Sequence, residues 1–171
     1  MATLNSAQAA APDVGTLHLI CGKIASGKSS LAQQLARHPR TVLISEDAWL
    51  AQLYGDELRS IADYVRCSAK LRLAMAAHIA ALLRTGTSVV LDFPSNTPPT
   101  RAWARGVFEQ AGAPHVLHFL DVPDDECKRR LRARNAAGEH PFQTTDAQFD
   151  AITQHFVAPS PAEGFHVMQQ H

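Results

Sequence analysis

Apolar residues along this chain fall into short unbroken runs, separated by stretches in which they recur every three or four positions. The runs cover 16–21, 41–45, 87–93 and 114–121. Runs this short and this apolar predict strands covered on both faces, as in a parallel sheet. Between them the period becomes helical. Leu31 and Leu35 lie one turn apart within 30–37, and Pro39 cannot continue that helix. Helical residues resume at Glu46 and run through Trp49, Leu50, Leu53 and Tyr54. A long stretch over about 57–84 repeats Leu71, Met75, Ala76, Ile79, Leu82 and Leu83 at helical spacing, a core-facing stripe that Gly86 stops. The turn 94–99 precedes a helix predicted over 100–110, and Pro123 opens another with Asp124, Asp125 and Glu126 at its positive end. Thr144 or Thr145 starts the last helix, through Phe149, Ile152 and Phe156, and 164–168 reads as a closing strand. The order β-α-β-α-β-α-β-α-α-β predicts an α/β protein with three α/β/α layers around a parallel sheet.

Composition narrows the partners. A chain of 171 residues with 46% hydrophobic and 19% charged residues suits one globular domain. Residues 1–14 read as a flexible leader and 15–171 as the domain. Sixteen basic residues balance sixteen acidic ones. That balance argues against a long nucleic acid as main partner, while leaving a short or single-stranded end open. No basic segment leads into an apolar run, and no apolar run is long enough to cross a bilayer, so neither a signal peptide nor a membrane span is indicated. Cys21, Cys67 and Cys127 are scattered over predicted strand and helices. They point to free buried thiols in a reducing cytoplasm rather than to a metal site.

The chemistry is concentrated between the first run and the first helix. Gly22-Lys-Ile-Ala-Ser-Gly-Lys-Ser29 matches the phosphate-loop pattern G-x-x-x-x-G-K-[ST] in full. A helix start leaves about four amides unpartnered, and aligned peptide dipoles make that end partly positive. Gly22 and Gly27 let the chain curl, so that Gly22, Ala25, Ser26, Gly27, Lys28, Ser29 and Ser30 form a cradle for the phosphates of ATP. Lys28 reaches the β- and γ-phosphates and the Ser29 hydroxyl coordinates Mg²⁺. The apolar run ending at Asp92 has the shape of a Walker B segment, with Asp92 holding Mg²⁺ directly or through water.

Glu46 and Asp47 follow the second strand, at the carboxyl edge where open α/β sheets hold ligands. Ser95 and Asn96 share that edge and either touch an acceptor or cap the next helix. His115 and His118 have no ligand partners at metal spacing and read as packed or solvent-facing. Lys128, Arg129, Arg130, Arg132 and Arg134 place five bases in seven positions. Arg130 and Arg134 border the Cys127/Leu131 stripe, in position to close over a phosphate, while the other three are assigned to solvent. The segment 135–141 reads as a mobile flap.

On these residues the chain resembles the small P-loop kinases, AAA-type and zeta-toxin-like enzymes related to phage polynucleotide 5′-kinase and chloramphenicol phosphotransferase. The resemblance covers about 17–156. It rests on the phosphate loop, Asp47 followed by Trp49, the Asp92 strand with its Asn96-containing turn, Leu120-Asp-Val-Pro123, and the Arg130/Arg134 pair. It implies a P-loop NTPase fold with a five-stranded parallel sheet in the order 2-3-1-4-5 and a helical lid at about 128–143. It also implies that Asp47 accepts the proton of the acceptor hydroxyl, and that Arg134, assisted by Arg130, binds the γ-phosphate. Glu46 is the alternative base, although neighbouring helical side chains point roughly 100° apart, so one should serve. Polynucleotide kinases carry an arginine three residues after the acid; here the position is Leu50. The expected activity is therefore ATP- and Mg²⁺-dependent transfer to a hydroxyl of a small-molecule or nucleoside-like acceptor in the cytoplasm. A polynucleotide 5′-hydroxyl kinase and a nucleotide-binding regulatory module are the rivals, the latter without an Asn-Lys-x-Asp guanine-reading motif.

Overall fold

A computed structural model describes residues 13–138 and 144–170. The apolar runs form β1 (Leu17–Gly22), β2 (Thr41–Ser45), β3 (Ser88–Asp92) and β4 (His115–Leu120), joined by β5 (Val167–Gln170). All pairings are parallel and the order is β2-β3-β1-β4-β5. Buried central strands need cover on both faces. Leu17, Leu19 and Cys21 of β1 pack with Val89 and Leu91 of β3 against α3 (Ile61–Arg84) and α4 (Pro98–Ala111). Ile20 and Val90 point the other way, against Ala32, Leu31 and Leu35 of α1 (Lys28–Leu35). This alternation produces the three layers. A smaller cluster joins Cys127 and Leu131 of α5 (Asp124–Ala137) to Phe149 of α6 (Asp146–Thr153), packed against Ile24 and Ala25 of the phosphate loop.

Several boundaries differ from the sequence expectation, each for a local reason. The helical region after β2 is two helices. α2 (Glu46–Tyr54) ends before a turn, and Ser60 restarts the chain by accepting the Asp63 N–H at 3.1 Å. α4 begins two residues earlier than expected. Its prolines occupy the first helical positions, where a missing N–H costs nothing, and Thr97 is the cap. α6 stops at Thr153, short of Phe156. The closing strand starts at Val167 because a 3-10 turn at Pro161–Glu163, ended by left-handed Gly164, occupies the preceding residues. Residues 135–137 of the expected flap are the last turn of α5, closed by left-handed Gly138, and 139–141 lie outside the described residues. The first twelve residues of the expected leader lie outside them too.

The cysteines are buried and free. Among the described residues no helix is long and apolar enough to cross a membrane. His115 stacks on Phe108, their centroids 3.9 Å apart. His118 is 3% exposed and its Nε2 lies 3.1 Å from Nδ1 of His18, while its Nδ1 faces the Gln170 amide at 3.2 Å. One proton serves the two facing nitrogens, so the pair is stable only when neutral. Burial, reinforced by His18, pushes His118 down to about 4. The unfolded chain takes up a proton near 6.5, whereas the native pair resists it. Stability is therefore complete above that pH and falls, by on the order of 3 kcal/mol, as pH drops from 6.5 to 4. Urea unfolding across this window should show that slope, and His118→Asn should flatten it.

Candidate active site at the carboxyl edge of the sheet

Three strand ends converge here. β1 ends at Gly22, and Ser45 of β2 pairs in register with Asp92 of β3, so Glu46 and Asp47 begin α2 at the same edge where β3 ends. The loop after β1 curls tightly. Ser26 N–H donates to the Lys23 carbonyl at 3.2 Å, Ala25 takes a φ of 59°, and Gly27 sits at φ 106° as the N-cap of α1. The last value is left-handed territory that favours glycine. A Cβ on Gly22 would lie 2.5 Å from the Ser26 hydroxyl and 3.1 Å from the Leu120 Cβ, so the loop closes only over a bare Cα.

α1 differs from its neighbours in how it begins. Side chains of Ser45, Ser60, Thr97 and Thr145 cap α2, α3, α4 and α6, and three acids occupy the first turn of α5. Among the described residues α1 has neither a side-chain cap nor an acid in its first turn. Its amides and dipole remain available to an external anion. Lys28 turns its ammonium back over the loop, donating to the carbonyls of Gly22 at 2.8 Å and Lys23 at 2.7 Å. Burial lowers its pKa; the nearby Asp92 and, more weakly, Asp47 favour the charged form.

Asp92 is half-buried, and burial raises its pKa against a hydrogen bond from Ser29 and the charge of Lys28. The Ser29 hydroxyl and Asp92 carboxylate are hard oxygen donors in contact, which suits Mg²⁺. Among the described residues no cluster of three or more His, Cys, Asp or Glu could hold a metal alone.

The adjacent acids have different environments. Glu46 is fully buried and accepts from Tyr64 Oη at 2.8 Å, Ser68 Oγ at 2.5 Å and Arg72 Nε at 3.2 Å. Its lone pairs are committed, whereas Asp47 is exposed at the edge. Tyr64, Ser68 and Arg72 were not singled out in the sequence, although their spacing of four on α3 is a polar stripe beside the core. Leu50 is 1% exposed, so the position where polynucleotide kinases carry an arginine faces the interior.

Asn96 does not cap α4. Its Oδ1 accepts the Gly22 N–H at 3.0 Å, while Thr97 does the capping. Ser95 is buried, and its carbonyl accepts from Arg101 at 3.1 Å. Arg101, fully buried, also donates to the Val157 carbonyl at 2.9 Å and forms a two-pronged pair with Glu163 at 2.7 and 2.8 Å. The Val157 N–H returns to the Asn96 carbonyl at 2.9 Å.

On α5, Arg130 donates to the Ser26 carbonyl at 3.3 Å, which brings it to the loop, and also pairs with Glu126 at 2.6 Å. Arg134 lies one turn on, half-buried, with its Nε unpartnered among the described residues. Of the three bases assigned to solvent, Arg129 and Arg132 are exposed, Arg129 pairing with Glu126, whereas Lys128 is partly buried. Lys128 pairs with Asp150 at 2.6 Å and Arg132 with Asp146, tying α5 to α6.

The fold is that of P-loop NTPases. A family model described as AAA domain matches residues 17–159. Among solved structures, a protein of Chloroflexus aurantiacus j-10-fl described as a candidate kinase superposes with TM-score 0.73. It is 19% identical, with 92% of this chain and 85% of that chain covered. Mycobacterium tuberculosis APS kinase CysC, solved with AMPPNP and APS, is 26% identical with TM-score 0.54, over 84% of this chain and 98% of that chain. A chain of the Pnkp1/Rnl/Hen1 RNA repair complex is 19% identical with TM-score 0.62, over 88% of this chain and 46% of that chain. No curated protein matches the sequence.

Removing the Glu46 carboxylate strands three donors and the Arg72 charge in the interior. Glu46→Ala should cost about 3 kcal/mol, the scale for breaking one side of a buried ion pair, read from urea unfolding midpoints. Glu46→Gln, which keeps an acceptor oxygen, should lose less.

Proposed function

We propose that this chain, which belongs to the AAA domain family, is an ATP-dependent phosphotransferase that moves the γ-phosphate of ATP to the hydroxyl of a small acceptor. The observation that carries this reading is the uncapped start of α1 with Lys28 folded over the same loop, beside an exposed Asp47. An anion cradle alone suits any nucleotide binder. An exposed carboxylate close enough to Lys28 to favour its charged form suits transfer.

In the proposed step Asp47 takes the proton of the acceptor hydroxyl as its oxygen attacks the γ-phosphorus. The bond to the β–γ bridging oxygen breaks and ADP leaves. Lys28 and Arg134, with Arg130 assisting, neutralise the migrating phosphoryl group, and the amides of Gly27, Lys28, Ser29 and Ser30 hold the phosphates. Ser29 and Asp92 would hold Mg²⁺, which would supply charge neutralisation on the phosphate oxygens. Such catalysis is mainly positioning and electrostatics.

Two features favour a small acceptor over a polynucleotide end. The net charge is zero, and the position of the polynucleotide kinases' phosphate-holding arginine is a buried leucine. The likeness to an APS kinase solved with its small acceptor supports the same choice.

Transfer from γ-labelled ATP to a panel of nucleosides, sugars, hydroxylated antibiotics and a 5′-hydroxyl oligonucleotide tests the reading. One small acceptor should be labelled well above the oligonucleotide. Asp47→Asn should lower kcat by about 10²-fold or more while leaving the Kd for ATP unchanged. Unchanged turnover in that variant removes Asp47 from the mechanism. Lys28→Ala should lose transfer altogether.

A further inference from the structure

Beside the phosphate loop lies a cleft of about 160 Å³ that the transfer step above does not use. It opens between the loop apex at Lys23 and Ile24, the β3–α4 turn at Pro94 and Asn96, and the end of α6 at Ile152 and Phe156. Its place relative to the nucleotide follows from Lys28. In this loop pattern the lysine reaches the β- and γ-phosphates. Here its ammonium lies against the carbonyls of Gly22 and Lys23, so the γ end of ATP lies where the cleft begins. The sheet register agrees, since the turn lining the cleft leaves Asp92, the partner of Ser45, two residues before Asp47.

Most of the surface lining it is apolar. Ile24, Pro94, Phe156 and the 51% exposed Ile152 supply that surface, and the exposed His155 also lines the cleft. Lys23 is the only lysine or arginine lining it among the described residues. Its ammonium is already held by the Asp124 carboxylate and the Val122 carbonyl at 3.4 Å, with the Phe156 ring 5.9 Å away. A carboxylate or phosphate on the occupant would lose water and meet only Lys23, already paired, and the surface-exposed His155, a costly exchange. The volume fixes the scale: an apolar cavity of about 150 Å³ accommodates one benzene ring.

We infer that this cleft is the acceptor's ring subsite, and that the acceptor is an uncharged alcohol carrying a single apolar or aromatic ring. This rests on the phosphotransferase reading and narrows it. The ring lies between Phe156 and Ile152, and the hydroxyl emerges at the rim shared with Lys23 and Asn96, facing the γ-phosphate.

Benzyl alcohol and 4-(hydroxymethyl)benzoate share the ring and the hydroxyl but differ in charge, so they separate the alternatives. Their binding to the full chain with magnesium and AMPPNP is measured by ligand-observed NMR, and transfer by label from γ-labelled ATP. Benzyl alcohol should bind at least tenfold more tightly than the carboxylate. Ile152→Glu should weaken it about tenfold with the AMPPNP Kd unchanged, while Ile152→Val stays within threefold of the native chain. Equal or tighter binding of the carboxylate, or an Ile152→Glu variant that binds benzyl alcohol normally, overturns the inference. Selective ring binding without labelling of any alcohol in the panel would sink the phosphotransferase reading and leave the ring subsite standing. Labelling confined to anionic alcohols does the reverse.

Discussion

A helix that begins without a side-chain cap holds several strong donors short of partners, and among the described residues no side chain caps α1. Elsewhere the chain supplies a serine, a threonine or a cluster of acids at each helix start. At α1 it supplies glycine, at a backbone angle that side chains rarely adopt, followed by lysine. The positive end of the helix, the ammonium and the curled loop therefore act on the same small volume. The glycines matter because they let this electrostatic arrangement come within reach of an anion, which bulkier residues would hold off.

What could be read from the sequence was what is local. The loop motif, the strand-end Asp92 and the apolar runs declare themselves within a few residues, and the parallel sheet they predict is observed, in the strand order that the family resemblance implied. Relationships across the chain were not visible. Asn96 lies in a turn that admitted two readings, and its actual partner is an amide 74 residues away. Glu46 and Asp47 are chemically near-identical neighbours. Only the placement of Tyr64, Ser68 and Arg72 on α3 shows which is consumed by the interior and which faces outward. The spacing of Lys128 and Arg132 on α5 could not show that they meet acids of α6, further along the chain.

The same contrast explains the neutral overall charge. Most of the bases near the site are matched by acids close at hand: Lys23 by Asp124, Arg72 by Glu46, Arg101 by Glu163, Lys128 by Asp150. Paired charges of this kind position elements and carry little long-range field. What remains to greet an anion is confined to the loop, Lys28 and the end of α5. That favours a partner whose negative charge is concentrated in one compact group over one that spreads it along a polymer.

Arg101 gives the architecture a temporal dimension. It binds Glu163 and the carbonyls of Ser95 and Val157, and Val157 in turn holds Asn96, whose side chain fixes the first amide of the loop. The motif near the start of the domain is thus braced by residues synthesised roughly 130 positions later, at 157 and 163. During translation, which delivers the chain from its N-terminal end, strands and helices can assemble early. The nucleotide cradle acquires its final brace only when Glu163 has emerged from the ribosome.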